Sequence, residues 1–193
     1  MFIRRMATLL SAGAFAIGIS MAAAGAAHAV NPPSSDWNEI IASFDHNQEN
    51  TLCVDDTGHT TAGTGIWLWH CNGTANVNQR WRFVPEGTAA DGMTYYQIVL
   101  RPTLDRGPVE CVGYPQGGVN ITSGVRLTLE DCGGPSVVDW TMETAPGTNP
   151  LITLVDGLRN LCIAQADFSD NNGTPVIVKT CSNSDISQVW ALG

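Results

Sequence analysis

Residues 52–81 read LCVDDTGHTTAGTGIWLWHCNGTANVNQRW. The stretch holds a cysteine pair, Cys53 and Cys71, a glycine at Gly63, an alternating run Ile66-Trp67-Leu68-Trp69, and a closing Gln79-Arg80-Trp81. The same order recurs twice downstream. Aligned on the second cysteine of each copy, Gly63, Gly124 and Gly173 stand eight residues before it. Ile66, Leu127 and Val176 stand five before, and Leu68, Leu129 and Val178 three before. Each copy closes on a tryptophan, Trp81, Trp140 or Trp190, and the first cysteine of each is followed by Val54, Val112 or Ile163. Such self-similarity, with a period of about 50 to 59 residues, is the mark of a repeat fold.

The chain opens Met-Phe-Ile-Arg-Arg-Met, continues with an apolar run from Ala7 to Ala27, and reaches Ala27-His28-Ala29. A basic start, an apolar stretch and a small-x-small site make the layout of a secretory signal peptide. The run is mostly Ala and Gly, poorer than the roughly 20 strongly apolar residues of a membrane anchor. Cleavage after Ala29 is expected, with residues 30–39 as a linker and 40–193 as the domain. Of 193 residues, loss of 29 leaves 164, which suits one domain built of repeats. Arg4 and Arg5 go with the leader, so seven basic residues face 18 acidic ones and the net charge is −11. That surface disfavours nucleic acid and anionic membranes as partners. It confers solubility and says little about fold.

An exported chain with an even number of cysteines is read as a disulfide framework. Cys53, Cys71, Cys111, Cys132, Cys162 and Cys181 allow 15 pairings. The repeat selects the economical one, within each copy: Cys53 with Cys71, Cys111 with Cys132, and Cys162 with Cys181. Unstrained loops of this length contribute about 3 kcal/mol each. No copy has the close Cys-x-x-Cys spacing that zinc prefers, so no metal is expected.

Tyr95 to Leu100, Val125 to Leu129 and Val176 to Val178 are rich in β-branched and aromatic residues, with Gly, Pro, Asn and Asp between them. No mature segment carries a long 3.6-residue apolar period. An all-β fold closed on itself follows, because closure removes exposed strand edges. Side chains alternate across a strand. Ile66 and Leu68, with Leu127, Leu129, Val176 and Val178, form the core face. The opposite set is Trp67 and Trp69, then Thr128 and Glu130, then Ile177 and Lys179, and its charges mark it as the solvent face. Trp67 and Trp69 either pad a minor core or present a flat apolar platform; an exposed aromatic patch favours the platform. The recurring tryptophan is read as core. The glutamine two residues before it, Gln79 or Gln188, can bond neighbouring backbone and hold a loop. The second copy has Val138 there.

With these residues the chain resembles a ricin B-type lectin domain, also called carbohydrate-binding module family 13. The resemblance covers roughly Ile40 to Gly193. It implies a β-trefoil: three Gln-x-Trp repeats about a pseudo-threefold axis. It also implies a sugar pocket made of an aspartate two residues after the first cysteine, an aromatic two before the second, and an asparagine just before the motif glutamine. Those places hold Asp55, Trp69 and Asn78 in the first copy, with Gln79 supporting from behind. Trp67 stands where the family often has a polar residue, a departure that would either enlarge the platform or alter sugar preference. A sugar ring can lay its C–H face on an indole, and a carboxylate accepts strong hydrogen bonds from vicinal hydroxyls. The second copy has Gly113, Glu130 and Val137 at the pocket places and the third has Ala164, Lys179 and Ser187. Both are read as structural copies; the nearby Gln165 and Asp167 are either a substitute ligand set or solvated loop, and the loop is the reading adopted.

The expected function is therefore a secreted lectin for galactose-type or xylan-type sugars, without catalytic residues or cofactor. One pocket would bind near millimolar, about −4 kcal/mol, and useful avidity would need an oligomer or a protein partner. An enzyme is the first rival. His46, His59 and His70 come with no Gly-x-Ser-x-Gly or His-Glu-x-x-His, and the cysteines are committed. The second rival is a non-enzymatic trefoil scaffold that binds a protein partner. Asn72, Asn120 and Asn172 head Asn-x-Thr sequons, which matter only in a glycosylating pathway.

Overall fold

The computed structural model describes residues 36–43, 51–58, 61–73, 75–90, 92–101, 109–115, 120–145 and 151–193. The expected leader, His46 and His59 lie outside them. Twelve strands occur among the described residues, four per copy. The first copy has β1 (Ile40–Ala42), β2 (Leu52–Asp55), β3 (Trp67–His70) and β4 (Trp81–Thr88). The second has β5 (Thr94–Leu100), β6 (Glu110–Gly113), β7 (Thr128–Asp131) and β8 (Trp140–Thr144). The third has β9 (Ile152–Asp156), β10 (Leu161–Gln165), β11 (Thr174–Thr180) and β12 (Trp190–Leu192).

The outer strands of each copy make a barrel. Strand β4 pairs with β5, β5 with β8, β8 with β9, β9 with β12 and β12 with β1, all antiparallel. The Asn38–Trp81 bridge closes it through reciprocal bonds of 2.7 and 2.8 Å. The inner strands form three hairpins, β2–β3, β6–β7 and β10–β11. Six barrel strands with three hairpins over one end make the expected β-trefoil.

The recurring residues explain how the hairpins meet. Backbone N–H groups of Ile66, Leu127 and Val176 donate in a cycle to the carbonyls of Leu127, Val176 and Ile66, at 3.0, 2.9 and 3.1 Å. Each copy thus bonds the next around the axis. The three aligned glycines make a second cycle. Gly63 donates to Leu129 O at 2.7 Å, Gly124 to Val178 O at 2.7 Å and Gly173 to Leu68 O at 2.8 Å. Their φ angles are +87°, +94° and +89°. This is backbone territory that any side chain makes costly, which is why glycine holds all three places.

Side chains at matching places fill the axis: Val54, Val112 and Ile163; Ile66, Leu127 and Val176; Ile40, Ile98 and Leu154. Trp81, Trp140 and Trp190 are wholly buried, and each such indole is worth about 3–5 kcal/mol by the cost of truncating large core aromatics. Trp81 Nε1 donates to Val54 O at 2.9 Å and Trp190 Nε1 to Ile163 O at 3.1 Å. Trp140 Nε1 has no such partner among the described residues. The disulfides join Cys53–Cys71, Cys111–Cys132 and Cys162–Cys181, the pairing that the repeat selects.

Two readings need correction. Val125 to Leu127 precede strand β7 rather than belong to it, and Arg126 there bridges Ile177 across the axis. The face opposite the core is not uniformly solvated: Thr128 and Ile177 are buried. Both lie where one hairpin abuts the next, through the Gly65–Thr128 and Arg126–Ile177 bridges. Alternation within one strand cannot register a neighbour that arrives from another copy. Trp67 is half-buried for the same reason, while Trp69 remains exposed at 38 %. No described helix is long and apolar enough to cross a membrane.

Candidate functional site

The first hairpin places Asp55 at the end of β2 and Trp67 and Trp69 on β3, with Cys53 opposite Trp69 and Asp55 opposite Trp67. A 3-10 turn at Val77–Gln79 follows, capped by Asn76, whose side chain accepts from the Asn78 N–H at 3.1 Å. The turn brings Asn78 back against the hairpin, where its carbonyl accepts from the Asp56 N–H at 3.2 Å. The result is an open pocket of about 210 Å³ lined by Asp55, Thr57, Trp69, Asn72, Asn76 and Asn78.

Asp55 is buried and accepts from the Thr57 N–H. Thr57 adopts φ +56° and Gly58 φ +76°, so the chain turns sharply straight after β2. Asp56 stabilises the same turn by accepting from Gly58 N–H at 2.8 Å. Trp69 forms the apolar wall, and Gly173 of the third copy lies behind its ring. The pocket therefore combines a carboxylate, three side-chain amides and one exposed indole. These groups accept and donate to hydroxyls while offering a flat apolar face.

Gln79 is wholly buried and does not line the pocket. Its Nε2 donates to His70 O at 2.9 Å and its Oε1 accepts from Asn72 N–H at 2.8 Å. It ties the end of β3 to the pocket wall. Gln188 repeats this in the third copy, bonding Thr180 O and Ser182 N–H at 2.9 Å each. Trp67 lies outside this pocket and lines an adjoining groove with Trp69 and Thr57.

Among lining residues, Thr57 and Asn76 carry no motif, and Asn72 enters the sequence reading only as a sequon. Asn76 has a legible signal: a helix-capping residue three places before Gln79. Asn172, another sequon residue, accepts from His70 N–H at 2.7 Å.

The equivalent places in the other copies are filled. Gly113 replaces the aspartate, and the chain at Ser136 occupies the space that its Cβ would need. Tyr114 N–H bonds Ser136 O at 2.9 Å and Gly113 bridges Val137, so backbone closes the site. In the third copy Lys179 stands for Trp69; its Nζ donates to Ser187 Oγ at 3.0 Å and lies 3.8 Å from Asp185. Ala164 and Ser187 there are wholly buried. Gln165 is also buried, at the end of β10 opposite Val176, and not in a solvated loop as the sequence reading has it; Asp167 lies on an exposed turn. Among the described residues no group of His, Cys, Asp and Glu could hold a metal ion.

No protein-family model matches the chain, and no curated protein matches it. Solved structures do. A designed threefold-symmetric protein, ThreeFoil, matches with a TM-score of 0.63 at 18% identity, over 81% of this chain and 96% of its own. The Macrolepiota procera ricin B-like lectin, solved in complex with lactose, matches with a TM-score of 0.61 at 15% identity, over 84% of this chain and 98% of its own. The Rhizoctonia solani agglutinin matches with a TM-score of 0.57 at 17% identity, over 81% and 94%. At such identities the likeness speaks to fold and not to ligand: the chain has the β-trefoil fold that ricin B-like lectins share with a designed threefold protein.

Proposed function

We propose that this chain is a secreted, non-catalytic carbohydrate-binding protein, a lectin of the ricin B type. It binds galactose-type or xylan-type sugars through one pocket, in the first repeat. The observation that carries the reading is the contrast among the three equivalent places. One is an open pocket with a carboxylate, amides and an exposed indole, while backbone at Ser136 and the Lys179 side chain fill the others. In this reading the sugar ring lies on Trp69. Asp55 accepts from vicinal hydroxyls, Asn78 and Asn72 donate and accept at the rim, and Gln79 holds Asn72 in position. Trp67 extends the apolar surface beyond the first sugar. The three disulfides accord with an oxidising compartment.

An indole 38 % exposed reports on its own ligand. Titration with galactose, lactose and xylo-oligosaccharides, followed by tryptophan fluorescence, should give a saturable change near millimolar sugar. Trp69→Ala should abolish both signal and binding while the protein melts within a few degrees of the wild type. Undiminished binding by the variant, measured by calorimetry, would remove the pocket from the first repeat.

A further inference from the structure

Beside the pocket, and sharing Thr57 and Trp69 with it, runs a wider groove of about 530 Å³. Thr64, Gly65, Trp67, Arg126 and Gly173 complete its lining. All three copies contribute, so the groove exists only because the hairpins meet at the axis.

Arg126 is its one cationic side chain among the described residues. It comes from the second copy and reaches across to the first. Its guanidinium carbon lies 3.2 Å from the centroid of the Trp67 ring. Gly65 makes room: a Cβ there would overlap the guanidinium. Arg126 Nε and Nη2 are buried and have no hydrogen-bond partner, and no described carboxylate forms an ion pair with the group. Burial draws its pKa below the ordinary arginine value, yet an arginine keeps its charge in proteins. In a chain of net charge −9, a guanidinium set over an indole and left without an anion is unusual. Stacking on the ring offsets only part of the lost hydration. The remaining nitrogen, Nη1, lies outside that buried pair and is the edge at which a carboxylate or sulfate in the groove would meet the charge.

We propose that the groove is a second subsite, in which Arg126 recognises an acidic substituent on the sugar next to the one seated against Trp69. The substituent is a uronic-acid carboxylate or a sulfate ester, and the assignment rests on the first-repeat pocket as read above. Trp67 plays two parts: it lies under the guanidinium and offers apolar surface to the second ring.

The test uses three probes on the full secreted protein by calorimetry. They are a neutral disaccharide that the wild type binds, the same disaccharide with its second residue as the uronic acid, and its sulfate ester on that residue. The wild type should prefer one acidic probe over the neutral one by about tenfold, a difference of about 1.4 kcal/mol; the preferred probe tells carboxylate from sulfate. The preference should shrink as salt rises from 50 to 500 mM. Arg126→Gln should bring the ratio of acidic to neutral affinity to about one. Arg126→Lys, which keeps the charge without the planar fork, should retain an intermediate ratio and serves if the glutamine variant does not fold. Neutral binding without acidic preference in the wild type would overturn the subsite and leave the first pocket standing. A preference that survives in Arg126→Gln would overturn it too. Absence of binding to all probes and to the wider sugar panel would overturn both.

Discussion

Replacing Gln79 by alanine separates the scaffold from the site, because Gln188 provides a matched control. Gln79 is wholly buried and makes two bonds to backbone, to His70 O at 2.9 Å and from Asn72 N–H at 2.8 Å. Alanine deletes both and strands a carbonyl at the end of β3. A typical bond contributes about 1 kcal/mol net and a stranded buried group costs about 1–3 kcal/mol. Asn72 is exposed, so water can replace its lost acceptor, which places the total near 2–3 kcal/mol. For a domain of this size that is about 5–10 °C in Tm. Gln188→Ala removes the matching pair of bonds in the third copy, to Thr180 O and from Ser182 N–H, with a longer one to Asp185 Oδ2 at 3.4 Å, and should cost a similar amount or slightly more. Binding should distinguish the two. Asn72 lines the first pocket, so Gln79→Ala should weaken sugar affinity about threefold to tenfold. Gln188→Ala should leave affinity within twofold of the wild type. Urea denaturation gives the stabilities, and calorimetric titration well below both melting points gives the affinities. Equal loss of affinity in both variants would refute the reasoning, as would a Gln79→Ala penalty under about 0.5 kcal/mol.

Other consequences concern the fold. Gly124→Ala places a Cβ at φ +94° and should lower stability by about 1–2 kcal/mol, read as a lower urea midpoint with unchanged slope. Tyr114 is buried and donates to Asp156 Oδ2 at 3.0 Å. Burial first, then the Asp156 charge, hold its hydroxyl well above the ordinary tyrosine pKa. A raised folded-state pKa means that the unfolded chain releases the proton first. The contribution is thus complete below about pH 10 and declines as pH rises past it. Tyr114→Phe should flatten that alkaline decline in a series of melts from pH 8 to 11. An unchanged decline would show that the hydroxyl ionises as freely folded as unfolded.

Much of the fold was legible because each recurring residue answers a backbone demand that no other type meets as well. The glycines eight places before the second cysteine take φ near +90° and donate across the axis. The apolar pairs at Ile66 and Leu68 and their counterparts, with the three tryptophans, make up much of the buried core. The pocket residues Asp55, Trp69 and Asn78 were legible through the family resemblance, and one hairpin with its following turn does bring them together. Contacts between copies were not legible. Alternation on β7 and β11 assigns Thr128 and Ile177 outward, yet the neighbouring hairpin covers both. Arg126 has no motif, and its place on Trp67 depends on a side chain reaching from one copy to another. The filled sites show the same limit. Gly113 reads as a lost ligand, whereas in space it admits backbone at Ser136. Lys179 reads as a solvent charge, whereas it reaches Ser187.

The most direct test of a single first-repeat pocket is a glycan array probed with residues 30–193 beside the Asp55→Ala variant. Circular dichroism and melting first establish that both are equally folded, since Asp55 also orders the turn at Thr57. The account predicts wild-type binding to galactose-type or xylan-type glycans that the variant loses across the array. Binding that survives in Asp55→Ala would contradict it and move recognition to another face of the trefoil.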